Sequence, residues 1–233
     1  MGLSFEHHST VAGAWHDSVQ AVTVYTKDRS RKLGFVLLDL FPRRQKYFHA
    51  CCWEVVPRVR RYNPASGMLQ ETPSVSVIVA NFPLPCGDAP SLFLHSDITT
   101  FFHEFGHAMH NLMSCTAHTQ TSGSMGVMLD FIEMPSQILE EWMWRPEMLR
   151  LVSGHYRAGQ PLPEELVLQM TSMRKAGRSF FEMNQVYYSL LSLMLHEAKP
   201  PVDFDSILEA CFKKAMRGLE WDPDNKFYAS FAH

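Results

Sequence analysis

Residues 103–107 read His-Glu-Phe-Gly-His, an H-E-x-x-H run inside a stretch of helical periodicity. On an α-helix, positions four apart share a face, so His103 and His107 can direct both imidazoles at one metal ion while Glu104 leans over the same point. Phe101, Phe105, Ala108, Met109 and Leu112 recur at helical spacing and give this helix a side to bury. Ser96 or Asp97 is placed to cap its first turn. The layout is that of a zinc hydrolase, and the rest of the chain must supply a further ligand and a bed for the helix.

Composition narrows the partners. With 46% hydrophobic and 12% aromatic residues among 233, the chain has ample material for a core. A formal charge of −3, with no run of like charges, argues against a nucleic-acid partner. No apolar run reaches bilayer length, and the first residues lack the basic-then-apolar layout of a secretion signal. Glu6 stands where a myristoylation signal would carry Ser or Thr. Five cysteines (Cys51, Cys52, Cys86, Cys115 and Cys211) are an odd number without framework spacing or a C-x-x-C pair. They suit buried thiols in a reducing compartment. The expectation is a soluble monomer of the cytoplasm, an organelle matrix being compatible, with no membrane partner.

In chain order, residues 14–25 read as a strand through Val19, Ala21, Val22, Val24 and Tyr25. The apolar runs 34–41 and 47–56 flank Pro42-Arg43-Arg44-Gln45-Lys46 and predict a hairpin. Residues 63–67 are a turn-rich connection. Residues 74–80, Ser-Val-Ser-Val-Ile-Val-Ala, are the most strand-like run, ended by Pro83 and Pro85. Two roles are open to it: a plain internal strand, or an exposed edge over 74–81 to which an extended peptide could add. After the motif come a polar loop over 116–126, a candidate lid, and a second helix over about 130–144. A long periodic stretch over 164–197, bent at Gly177, and a further helix over 205–218 follow. The expected fold is α+β and mainly α-helical, with a small mixed sheet preceding the H-E-x-x-H helix. Residues 1–233 read as a single domain, sheet-rich over about 14–85 and helical over about 96–233.

Two histidines leave a catalytic zinc one protein ligand short. His110 sits one further turn along the helix and would be hard to bring into the same shell. It also occupies the glycine position of the three-histidine pattern, and Met113 the third histidine position, which excludes that class. Glu133, in Asp130-Phe131-Ile132-Glu133-Met134-Pro135-Ser136-Gln137, comes far enough after His107 for a second helix to fold back, and it is the expected third ligand. The other reading of Glu133 is as the end of an Asp130-x-x-Glu133 capping box. Asp130 and Gln137, three and four residues from Glu133, are candidates to orient the ligands. Glu104 would be the base, taking a proton from the attacking water and passing it to the leaving amine. Tyr187, Tyr188, Tyr228 and His233 are candidate donors to the oxyanion, although a helical tyrosine more often serves a core.

These residues resemble the thimet oligopeptidase and oligopeptidase A group of M3 zinc metallopeptidases. The resemblance rests on residues 102–110 (F-H-E-F-G-H-A-M-H) and 130–142 (D-F-I-E-M-P-S-Q-I-L-E-E-W). Residues 15–17, 38–49 (L-D-L-F-P-R-R-Q-K-Y-F-H), 79–82 and 153–156 add to it in family order. It implies a zincin-like catalytic core, one zinc on His103, His107 and Glu133, Glu104 as the catalytic glutamate, and short peptides as substrates. It also implies a longer enzyme, whose helical amino-terminal half has no counterpart here. Residues 227–233 resemble the lead-in to a segment supplying substrate and oxyanion contacts, with His233 at its histidine. The expectation is therefore an incomplete catalytic domain of a metalloendopeptidase; the alternative is a zinc-binding but catalytically weak or inactive fragment.

Overall fold

Alternating apolar positions before the motif helix build a sheet. The computed structural model describes residues 2–231, and the chain divides into two compact units, one ending at Pro163 and one beginning at Glu164. The first unit opens with β1 (Leu3–His8), β2 (Gln20–Thr26), β3 (Lys32–Asp39), β4 (Cys51–Val56), β5 (Val59–Asn63), β6 (Met68–Thr72) and β7 (Ser74–Val79). Five of these form a mixed sheet in the order β1-β2-β3-β7-β4, parallel between β3 and β7 and antiparallel elsewhere. β5 and β6 form a separate hairpin closed by the turn-rich 63–67 segment.

The strand order overturns one expectation and decides between the two roles open to residues 74–80. β3 and β4 are not a hairpin, because β7 lies between them. For the same reason β7 is an interior strand, and β4 holds the edge. Ser74, Ser76, Val77 and Ile78 of β7 are all buried; a strand small or apolar on both faces is most stable with its backbone paired on both sides. The segment between β3 and β4 folds instead around Asp39. Its carboxylate accepts Trp15 Nε1–H at 2.9 Å and a bidentate pair from Arg43 at 2.6 and 2.8 Å. The Lys46 ammonium lies 2.9 Å from Asp39 Oδ1 and donates to the carbonyls of Asp39, Phe41 and Ala80. Burial raises the Asp39 pKa, but these donors outweigh it and hold the carboxyl at about 2.

The motif helix is α1 (His95–Met113). Neither Ser96 nor Asp97 is its N-cap; Leu94 holds that place and its N–H is taken by the Asp97 carboxylate at 2.8 Å. Ala108, Met109 and Leu112 pack on Val24, Leu33, Val36, Leu38 and Ile78, seating α1 on one face of the sheet. Apart from Ala108, each of these buried side chains contributes about 1.5–3 kcal/mol. The expected helix over 130–144 is two elements, α2 (Leu129–Ile132) and α3 (Met134–Trp142), hinged at Glu133. Pro135, with no N–H to donate, fits the first turn of a new helix rather than the middle of an old one. A short α4 (Pro146–Val152) follows.

In the second unit α5 (Glu164–Met173) and α6 (Arg178–Glu197) are separated at Gly177, whose φ of 72° is left-handed, as the expected bend requires. α7 (Phe204–Ala215) packs on α6 through Tyr187, Leu191, Leu208 and Cys211. Among the described residues no helix is long and apolar enough to cross a membrane.

Candidate metal centre

His103 and His107 project from the same side of α1, their rings crossing edge-on with centroids 4.9 Å apart. The third donor reaches them because α3 crosses α1 at Gly106. A Cβ on Gly106 would lie 2.5 Å from Ser136 Cα and 2.9 Å from the Pro135 carbonyl oxygen, so only glycine admits this approach. Glu133, at the hinge that starts α3, thereby faces both histidines. His103 Nε2 and His107 Nε2 are 3.2 Å apart, and Glu133 Oε2 lies 3.3 Å from the first and 3.2 Å from the second. Three donors on a tetrahedral ion with bonds of about 2.0–2.1 Å stand about 3.3–3.4 Å apart, so this triangle fits one such ion without rearrangement. Half the Glu133 side chain is exposed, and the triangle opens to solvent on that side.

Two supporting groups were not among the sequence candidates. Glu140 Oε1 accepts from His103 Nδ1 at 2.5 Å; a carboxylate can only accept, so Nδ1 carries the hydrogen and Nε2 keeps its lone pair for a metal. Buried Ser136 donates to the Glu133 carboxylate at 2.9 Å and to its backbone carbonyl at 2.8 Å. Ser136 and Glu140 follow Glu133 by three and seven residues, one face of a helix, and that spacing was the available signal. Asp130 and Gln137 do not take this role: both are exposed, and the hinge removes the helical phase that would bring Asp130 round. The capping-box alternative for Glu133 fails as well, since Met128 is the N-cap of α2. His110 stands outside the triangle, edge-on to Phe131 at 6.0 Å. Burial lowers the pKa of His107 and of His110, keeping both rings neutral, and for His107 that is the form a metal needs.

Glu104 occupies the opposite side of α1 from solvent and is 7% exposed. Burial raises its pKa, and the carboxylates of Glu133 and Glu140 add to the shift; His103 and the peptide N–H of Cys52 oppose it. The Cys52 contact places the buried carboxylate against β4, whose outer edge has no strand beside it among the described residues.

The candidate lid is pinned rather than free. Ser122 and Gly123 are buried, Ser122 Oγ donates to the Arg58 carbonyl, and Gly123 N–H donates to Ser114 Oγ. Tyr187, Tyr188 and Tyr228 belong to the second unit, where their rings pack with Phe212, Phe227 and Phe204. His233 lies outside the described residues.

The model of Peptidase family M3 matches residues 1–233. Oligopeptidase A of Salmonella typhimurium is 33% identical over 96% of this chain and 32% of its own length. A thimet-like oligopeptidase of Dictyostelium discoideum is 36% identical over 80% of this chain and 27% of its own. Saccharolysin of Saccharomyces cerevisiae is 32% identical over 79% and 26% respectively. The chain spans about a quarter to a third of the length of these relatives. With the family model matched from first residue to last, the chain belongs to peptidase family M3.

Proposed function

We propose that this chain carries the catalytic centre of a zinc metalloendopeptidase that cleaves short peptides internally. The observation that supports it most is the ligand triangle of His103, His107 and Glu133 beside a buried Glu104. Zinc, when bound there, supplies Lewis acidity toward the scissile carbonyl. Glu140 holds His103 in the tautomer that can ligate, and Ser136 aims Glu133. Glu104 takes a proton from the attacking water and returns it to the leaving amine, two duties for which a raised pKa is suited. The outer edge of β4 offers main-chain donors and acceptors that grip an extended peptide whatever its side chains. The relatives are oligopeptidases by name, in keeping with short peptides as substrates. A reducing, cytoplasmic compartment fits the unpaired thiols of the chain.

The test pairs metal analysis with turnover of an internally quenched fluorescent peptide. The wild-type chain should hold one zinc and cleave the peptide; Glu104→Gln should keep the zinc and lose activity by about two to four orders of magnitude. No zinc in the wild type, or equal turnover by the two proteins, would refute the assignment.

A further inference from the structure

Glu54 is a half-buried carboxylate to which the proposed chemistry gives no task. It stands on β4 two residues after Cys52, hence on the same strand face. Its partners are peptide groups and a hydroxyl rather than a cation. Ser124 N–H donates to Oε2 at 3.1 Å, Ser124 Oγ donates at 3.3 Å, and Met125 N–H donates as well. The Ser124 N–H is shared with Oδ1 of buried Asn111 on α1, at 2.8 Å. The loop is shaped for this contact: Gly123 has a φ of 72°, and a Cβ there would lie 2.1 Å from Glu54 Oε2. Only glycine lets the chain pass so close to the carboxylate. Beyond the contact the chain is thinly anchored, with Met128 and Leu129 78% and 84% exposed, and after the single turn of α2 it arrives at Glu133. Glu133 is thus held from one side by Ser136 and from the other by whatever fixes residues 123–125.

We propose that Glu54 is a positioning residue for the metal centre: by clamping residues 123–125 onto β4 and α1, it sets the path that delivers Glu133 to His103 and His107. The proposal rests on the ligand assignment made under Proposed function. Outer groups that orient metal ligands are worth about 10- to 100-fold in metal affinity, and that is the effect expected of Glu54.

The experiment uses the full chain, three test variants, Glu54→Ala, Glu54→Gln and Gly123→Ala, and one core control. Zinc affinity is read by competition with a chromophoric chelator, and amide hydrogen exchange at Ser124 and Met125 is read in the metal-free protein. Glu54→Ala and Gly123→Ala should lose amide protection and bind zinc about 10- to 100-fold more weakly. Glu54→Gln, whose carbonyl still accepts an N–H, should recover part of both. Val24→Ala, a core truncation on β2, should lower stability without changing zinc affinity, which separates positioning from general damage. Should Glu54→Ala fail to fold, the other two variants decide. Unchanged protection in the folded variants, or lost protection with unchanged affinity, would overturn the proposal. A wild-type chain that binds no zinc refutes the ligand assignment itself and the proposal with it, whatever the amides report.

Discussion

Gly106→Ala tests the helix crossing on which the metal centre depends. The added Cβ would lie 2.5 Å from Ser136 Cα, whereas carbon atoms in contact prefer about 3.5–4.0 Å. α1 and α3 must therefore part by about 1 Å, and Glu133, one turn ahead of Ser136, moves with α3. Its distances of 3.3 and 3.2 Å to the two Nε2 atoms would grow to about 4 Å, beyond the roughly 0.2 Å latitude of metal–ligand bonds. Either the ion draws the helices back together, at an overpacking cost of about 1–3 kcal/mol, or Glu133 leaves the shell. The first route alone weakens binding about 5- to 150-fold. Overall stability is the wrong readout, because alanine is favoured over glycine within a helix by about 0.5–1 kcal/mol and masks part of the strain. The assay is zinc titration against a competing chelator, with the cobalt-substituted spectrum reporting the ligand set. Gly154→Ala, whose Cβ would meet only the Gly159 carbonyl at 3.9 Å, is the control. Affinity of Gly106→Ala within twofold of wild type would refute the reasoning.

Glu140→Ala should weaken zinc binding about 10- to 100-fold while leaving the fold intact, since it releases His103 Nδ1 but no core contact; unchanged affinity in a chelator titration would argue against it. Ser136→Ala should act in the same direction and less strongly, read in the same titration. Asp39 has a folded pKa of about 2, below its unfolded value, so its contribution of about 2–3 kcal/mol is present above pH 4 and lost as pH falls toward 2. Chemical denaturation across that window should show the loss in wild type and a flatter profile in Asp39→Asn.

The candidate ligand set was legible in the chain because its two halves are locally encoded. His103 and His107 are one helical turn apart, and Glu133 lies on the next periodic segment, at a distance a returning helix can span. Ser136 and Glu140 were hidden by the starting point of α3: counted through one continuous helix, Asp130 and Gln137 seemed as well placed. Pro135 ends that continuity at Glu133, and only then does the face carrying residues 133, 136 and 140 become the one turned to α1. The strands were recognised as runs but not as neighbours. Residues 47–56 and 74–80 both read as strands, yet which of them forms an edge depends on pairing between distant segments, here through β7 lying between β3 and β4.

The amino-acid sequence by itself determined the helical bed of the motif, which residues stand as candidate ligands and candidate base, the bend at Gly177 and the mixture of sheet and helix. Apart from Glu133, which sits on the next periodic segment, these follow from residues within a few positions of one another, where side-chain periodicity and backbone limits act directly. Only the tertiary structure decided that β4 rather than β7 presents its free edge beside Glu104. It alone showed that Gly106 is the passage for α3, and that Glu54 reaches the loop before Glu133. Each of these is a contact across the fold, set by which faces exclude water together, and no local pattern in the chain encodes it.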